Sequence, residues 1–174
     1  VEKELQTKTA ALEQAQRIAQ VGHWDWTIKD NTLQWSDEIF RIFGFAPRHF
    51  QVTYDVFLNC VHPDDRELVE QAVSKALYEG RPYNIEHRIV LPSGSVRIVH
   101  EQGEVLLDKD GQPLRMIGTV HDITRHKQAE RELEKTRRRL ERQLKQQNEK
   151  LTIANQALRR QVEKRKQVEE ENRR

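Results

Sequence analysis

The spacing of hydrophobic residues changes character twice along the chain. Across residues 1–20, Val1, Leu5, Leu12, Ala15 and Ala19 recur at steps of three, four or seven, one stripe of a helix. The stripe is thin, so it needs a partner helix or a neighbouring domain to cover it. From Val21 the period drops to two. Trp24, Trp26 and Ile28 share one face of a strand, Lys29-Asp-Asn31 supplies turn residues, and Thr32-Leu-Gln-Trp35 pairs back as a second strand. Ser36 is a good N-cap for a short helix through Ile39, Phe40, Ile42 and Phe43 that stops at Gly44. Thr53 caps another through Tyr54, Phe57 and Leu58.

His62-Pro-Asp-Asp65 reads as a helix start, with proline early and acids near the positive end of the dipole. Leu68, Val69, Ala72, Val73, Ala76 and Leu77 then mark a longer helix that ends at Gly80-Arg-Pro82. Three strands follow. Tyr83, Ile85, His87 and Ile89 alternate in the first; Val96, Ile98 and His100, then Val105 to Leu107, lie along the second. Leu114, Met116, Gly118 and Val120 mark the third. The turns between them are Pro92-Ser-Gly94 and Asp108–Pro113. The order β-β-α-α-α-β-β-β predicts an α+β domain, an antiparallel sheet with helices on one face. It divides the chain into a connector helix at 1–20, a domain at 21–124 and a C-terminal helix at 125–174.

Composition sharpens that division. All 7 Gly, all 5 Pro and every aromatic residue lie between Gly22 and Gly118, and residues 125–174 contain none of them. A segment without turn-formers cannot fold back on itself, so one long helix is expected there, roughly 75 Å at ~1.5 Å per residue. Its apolar positions are Ala129, Leu133, Leu140, Leu144, Leu151, Leu158 and Val168. Leu133 and Leu140 keep a seven-residue step, as do Leu144, Leu151 and Leu158, and the four-residue step between the two series is a stutter. The pattern predicts a parallel coiled-coil homodimer. With the later leucines at d, Asn148 and Asn155 occupy a; with them at a, Gln147, Ala154 and Gln161 form the other layer. Both cores are weak. The segments His126–Leu133 and Arg165–Asn172 share a Lys-Gln-x-Glu-x-Glu pattern whose acidic part also occurs in Val1–Leu5, as expected of a piece cut from an array of modules.

The formal net charge is +2, but from Arg125 onward 17 Lys/Arg stand against 9 Glu, leaving the remainder at about −6. Because Glu is interleaved along the tail, the excess reads as a solvated helical face. Arg137-Arg-Arg139 sits among the leucines and not before them, unlike a basic zipper, so no nucleic-acid partner is expected. The single cysteine, Cys60, excludes a disulfide framework within one chain and suits a reducing compartment. No apolar run approaches the ~20 residues of a membrane span. A cytoplasmic piece without direct membrane contact is expected, whose parent is free to carry a membrane anchor elsewhere.

Several short motifs stand in a telling order: Gly22-x-Trp24-x-Trp26, Trp35-Ser36, Phe43-Gly44-Phe45, Val61-His-Pro-Asp-Asp65, Arg88-Ile89, Pro92-Ser-Gly94-Ser-Val-Arg97, Gly103-x-Val105, Asp110-Gly-x-Pro113 and Gly118-Thr-Val-x-Asp-Ile-Thr124. Over residues 21–130 the chain resembles the PAS fold with its PAC half, in the subgroup with a His-Pro-x-Asp turn. The resemblance implies a five-stranded sheet and a hollow facing the helices. It implies a sensory or dimerising module upstream of an output domain such as a histidine kinase or a diguanylate cyclase, in two-component or similar signalling. In such a fold Trp24, Trp26, Trp35, Phe40, Phe43, Cys60, Ile89 and Ile98 would surround the hollow. Asp122, Ile123 and Thr124 would form a hinge onto the output helix, with Asp122 or Thr124 capping it.

The resemblance also frames the candidate chemistry. Haem-binding relatives place a His on the long helix, and Asp64 to Tyr78 has none, so haem is not expected. Asn59-Cys60 matches two residues of the light-oxygen-voltage flavin motif, but Val61-His62-Pro63 then departs from it, and Cys60 reads as a buried small hydrophobe. Side chains filling the hollow is the leading expectation, with a non-covalent flavin or a small metabolite as the alternative. The seven His form no His-x-x-x-His pair, and the one pairing in prospect, His87 with His100 across two strands, is no metal site by itself. No phosphate loop, nucleophile elbow or histidine phosphoacceptor motif occurs, so the chain is not expected to be an enzyme.

Overall fold

The computed structural model describes residues 2–171, and the side chains of all of these except residues 2–8, 12, 13 and 171. Helix α1 spans Glu2–Ala19. Of its predicted stripe, Ala15 and Ala19 are exposed, while Val1 and the side chains of Leu5 and Leu12 lie outside the described residues. Strands β1 (Val21–Thr27) and β2 (Thr32–Trp35) form a hairpin, followed by α2 (Asp37–Ile42) and α3 (Tyr54–Cys60). A 3-10 turn at Pro63–Asp65 leads into α4 (Arg66–Glu79). Strands β3 (Tyr83–Val90), β4 (Val96–Leu107) and β5 (Pro113–Asp122) complete one sheet of order β2-β1-β5-β4-β3, antiparallel throughout. Residues through Lys127 form one compact unit. The second, from Gln128 on, is helical, the continuation of α5 (Thr124–Glu171).

Local chemistry explains most boundaries. Thr53 Oγ1 accepts from Val56 N at 3.3 Å and caps α3. Helix α4 ends where Gly80 takes φ of +64°, a left-handed C-cap that costs a glycine little. Ser36 stands at the N-cap of α2 but makes no side-chain cap bond; its hydroxyl accepts from His23 N at 3.1 Å and ties β1 to the helix start. Asp65 likewise does not cap α4 through its side chain. Its carboxylate accepts from the backbone and guanidinium of Arg88 at 2.6–2.9 Å, joining the 3-10 turn to β3. That bidentate pairing holds the Asp65 carboxyl down at about 2. His62 Nδ1, accepting from Asp64 N at 3.3 Å, supplies the cap of the 3-10 turn.

One face of the sheet and the helices enclose the core. Ile39 and Phe40 from α2, Phe43 just after it, Phe57 from α3, Val69 and Val73 from α4, and Ile89, Val99, Met116 and Val120 from the strands are all buried. The inward residues of β4 are Val99, Glu101, Gly103 and Val105, so its parity is one residue off the predicted stripe, and Ile98 and His100 point to the other face. A glutamate and a glycine on the inner face removed the apolar alternation that usually betrays a strand's orientation.

Candidate functional site

Between β1, β2, α3, α4 and the inner face of β3–β5 lies a cavity of about 30 Å³, room for one or two waters. Trp24, Trp26, Trp35 and Phe43 line it, as the sequence suggests. The other four predicted residues do not. Phe40 and Ile89 are buried in surrounding core, and Ile98 is on the opposite face. Cys60, at the end of α3, is half-buried with its thiol donating to Val56 O at 3.3 Å, and burial pushes its pKa up. Leu33, Tyr54, Phe57, Val73, Tyr83, Glu101, Met116 and Val120 complete the wall.

The tryptophans are held by distinct means. Trp24 is buried against Gly103 and Gly118, where any Cβ would run into its ring, and meets Tyr83 edge-on at 6.0 Å. Trp26 stacks on Tyr54 at 4.9 Å and donates from Nε1 to Asn31 Oδ1 at 3.2 Å. The same Asn31 oxygen accepts from Tyr54 N, so one turn residue fixes both rings. Trp35 packs on Phe40 and Phe43. Trp24 Nε1, by contrast, is buried without a hydrogen-bond partner.

The inner face is not uniformly apolar. Glu101 and His87 are 2% and 3% exposed, and Tyr83 Oη donates to Glu101 Oε2 at 2.8 Å. His87 Nε2 stands 3.3 Å from Glu101 Oε1, close enough for an ion pair but without the alignment of a hydrogen bond. The expected meeting of His87 with His100 does not occur. His87 faces inward opposite Val99, whereas His100 lies on the other face and pairs its ring with Asn84 Oδ1 at 2.6 Å. Burial, with the nearby Glu70 and Glu101 charges, lifts the Tyr54 phenol to about 12, and burial with Glu101 lifts that of Tyr83 well above its ordinary value, so both remain donors. Glu101 escaped notice in the sequence because a charged residue in a strand ordinarily faces water. The one available signal was its place two residues after Val99 and two before Gly103.

A second cluster lies where β5 passes into α5. Asp122 Oδ1 accepts from Thr124 N at 3.0 Å and from Thr124 Oγ1 at 2.5 Å, while Thr124 Oγ1 accepts from Ile98 N at 3.0 Å. Ile123 is buried and its N–H donates to Ile98 O. Arg97 adds a link the sequence did not reveal: it donates to the last carbonyls of α2, Arg41 O at 3.1 Å and Ile42 O at 2.6 Å, and reaches Asp122 at 3.6 Å. Lys127, in the first turn of α5, pairs with Glu86 of β3 at 2.7 Å. Farther along α5, Ala129, Leu133, Leu140, Leu144, Leu151, Leu158 and Val168 are all exposed, the six larger ones by 55–71%, and Ile153 and Val162 join them. Among the described residues no group of three His, Cys, Asp or Glu side chains is arranged to hold a metal, and no helix is long and apolar enough to cross a membrane.

Comparison with known proteins agrees with this architecture. The family described as the PAS fold matches residues 32–120. The chain is 29% identical over 120 residues to the probable diguanylate cyclase DgcE of Escherichia coli, covering 69% of this chain and 11% of that protein. It is 33% identical over 139 residues to the blue-light-activated histidine kinase of Brucella ovis, covering 75% of this chain and 27% of that one. Among solved structures, a sensory box histidine kinase/response regulator from Burkholderia thailandensis superposes with a TM-score of 0.63 at 30% identity, covering 75% of this chain and 98% of that chain. The chain thus spans about a tenth to a quarter of the lengths of these curated relatives.

Proposed function

The chain belongs to the PAS fold family, and from that premise we propose that it is a dimeric sensor and relay module that passes conformational change through a coiled coil to an output domain, a histidine kinase before a cyclase. The observation that carries this reading is the junction at Asp122–Thr124. There the start of α5 is hydrogen-bonded to β4 without an intervening loop, so the strand cannot shift without straining the helix start. The exposed leucine line on α5 supports pairing with a second copy, because a water-exposed stripe this long is costly to leave uncovered. Val162 lies seven residues after Asn155, which favours the later leucines at d and a neighbouring line of Asn148, Asn155 and Val162 at a. Two asparagine layers fix a parallel register at some cost in stability, as suits a coil that must shift. The relatives' kinase and cyclase names support an output domain elsewhere in the parent protein, which acts inside the cytoplasm on this reading.

A core without a bulky cofactor is part of the proposal. Its support is the cavity's size, far below the several hundred Å³ that a flavin-sized ligand needs. Sedimentation of the full chain at micromolar concentration should give a dimer, and single cysteines at positions 148 and 155 should crosslink to their own counterparts. A lone protomer at every concentration would refute the relay. Native mass spectrometry after exposure to cell extract separates a sensor for a small metabolite from a ligand-free dimerisation spacer.

A further inference from the structure

We propose that His87 and Glu101 form a proton-binding site inside the sensor core, and that the proton is an input this domain reads. The inference rests on the sensor reading above and names its ligand. Its foundation is geometric. His87 Nδ1 lies 3.3 Å from the carbonyl oxygen of Arg88, an atom that only accepts, so the imidazole hydrogen belongs on Nδ1. Nε2 then turns toward Glu101 Oε1 at 3.3 Å, and a carboxylate also only accepts. With the ring neutral, two acceptors confront each other in a place closed to bulk solvent, since both side chains are at most 3% exposed. One added proton resolves the conflict by making Nε2 a donor and the pair electrically neutral.

The surroundings favour that proton over its loss. Tyr83 of β3 donates to Glu101 Oε2, which leaves Oε1 to face the imidazole and takes up only part of the carboxylate's accepting capacity. Asp65, from the 3-10 turn, adds negative charge, and Tyr54 and Phe57 of α3 close the site, Phe57 with its ring 6.0 Å from that of His87. Glu70 of α4 adds to the charge felt by Tyr54, and the neighbouring cation Arg88 is bound to Asp65. Burial is the largest single influence and opposes the imidazolium, but the Glu101 charge and contact, the Arg88 carbonyl and the Asp65 charge together outweigh it and raise the His87 pKa above its ordinary value. The stabilisation is therefore complete below pH ~6.5 and is lost as pH rises through the raised value.

The site is also placed to be read. Glu86, beside His87 in β3, holds Lys127 in the first turn of α5. Val99, opposite His87, is next to Ile98, which holds Thr124. Both strands that carry the proton pair thus touch the helix start, β3 one residue from His87 and β4 three residues from Glu101.

The test is a histidine-ring NMR titration of the full chain, with backbone amides of 124–127 followed in the same samples. In the unaltered chain the His87 midpoint should lie above ~6.5. Glu101→Gln should drop it below that value, by at least tenfold in proton affinity, because burial, the largest influence, is then opposed only by the Arg88 carbonyl and the Asp65 charge. Tyr83→Phe should move it the opposite way, since a carboxylate without its donor binds the shared proton more tightly, and this variant serves if Glu101→Gln does not fold. The amides of 124–127 should move with the same midpoint. An ordinary or depressed midpoint in the unaltered chain, or one that ignores both substitutions, overturns the site. A normal titration with motionless helix amides overturns the proton as an input, yet leaves the coiled-coil relay standing on its crosslinks. Absent crosslinks with an intact titration sink the relay alone.

Discussion

Replacing Thr124 with valine keeps the volume and the branched shape and removes only the hydroxyl. That hydroxyl makes two bonds of consequence, accepting from Ile98 N at 3.0 Å and donating to Asp122 Oδ1 at 2.5 Å. A neutral hydrogen bond is worth about 1 kcal/mol net and one to a carboxylate about 1.5–3 kcal/mol. The bond from Thr124 N to Asp122 survives the change, and Arg97 still stands near that carboxylate, so part of the loss is recovered. A net destabilisation of about 2 kcal/mol follows, equivalent to a drop of roughly 8–16 °C in Tm for a domain of this size. Thr124→Ser, which retains the oxygen, should recover most of it. Urea denaturation followed by tryptophan fluorescence gives the stability, and amide exchange at Ile98 and Thr124 locates the effect. Exchange there should accelerate more than in the centre of the sheet. If the valine variant matches the parent in both stability and local exchange, the hydroxyl does not tie β4 to α5, and the junction loses its claim to couple them.

Gly118→Ala would place a methyl carbon against the Trp24 ring, 2.5 Å from Cζ2, and against the carbonyl of Gln102. A loss of at least about 3 kcal/mol and a changed Trp24 signal in near-ultraviolet circular dichroism are expected. Asp65 is held at about 2 against an ordinary 3.8, so its contribution is present above pH ~4 and lost as pH falls toward 2; Asp65→Asn should flatten stability across that window, measured by denaturation at each pH. The Cys60 thiol, half-buried and raised in pKa, should react with iodoacetamide at pH 7.5 far more slowly than glutathione does. Leu151→Asp should abolish the dimer in sedimentation while leaving the melting of residues 21–122 nearly unchanged, because that side chain is exposed in the single chain.

Turn and cap chemistry made the frame legible in advance. Lys29-Asp-Asn31, Thr53, Gly80 and Pro92-Ser-Gly94 each bound elements close to where the structure places them. Alternation oriented β1, β3 and β5 correctly, since Trp24, Tyr83, Ile89, Met116 and Val120 turn inward. It misled in β4, where function or packing has placed Glu101 and Gly103 on the buried face and left Ile98 on the other. The cavity suffered from the same cause: its polar end comes from Glu101 and Tyr83, whose meeting depends on the register of β3 against β4, and no local pattern specifies that register. Long-range clamps were equally hidden. Arg97 reaches α2 across 55 residues of chain and Asp65 reaches Arg88 across 23, so neither has a periodic signature.

Those clamps share a consequence for signalling. The first turn of α5 is anchored to β3 through Glu86–Lys127, to β4 through Ile98–Thr124 and to β5 through Asp122. Arg97 extends the set to the end of α2, where the C-cap residue Phe43 is also a wall of the cavity. Each tie taken alone is partly exposed and worth at most a few kcal/mol. Their value lies in disagreement: a helix start held by three strands at once tolerates only one spacing among them. An event that moves β3 against β4, as proton loss between His87 and Glu101 would do on the proposal above, loads the Lys127 and Thr124 ties unequally and makes the helix start follow one at the expense of the other. Packed strands and a hydrogen-bonded helix start respond to that choice in steps, because the interior is too dense to deform smoothly. On this logic Glu86→Gln, which removes one charge from Lys127, should leave the junction answering to β4 and β5 without β3, and the response of the 124–127 amides to pH should shrink without any change in the His87 midpoint.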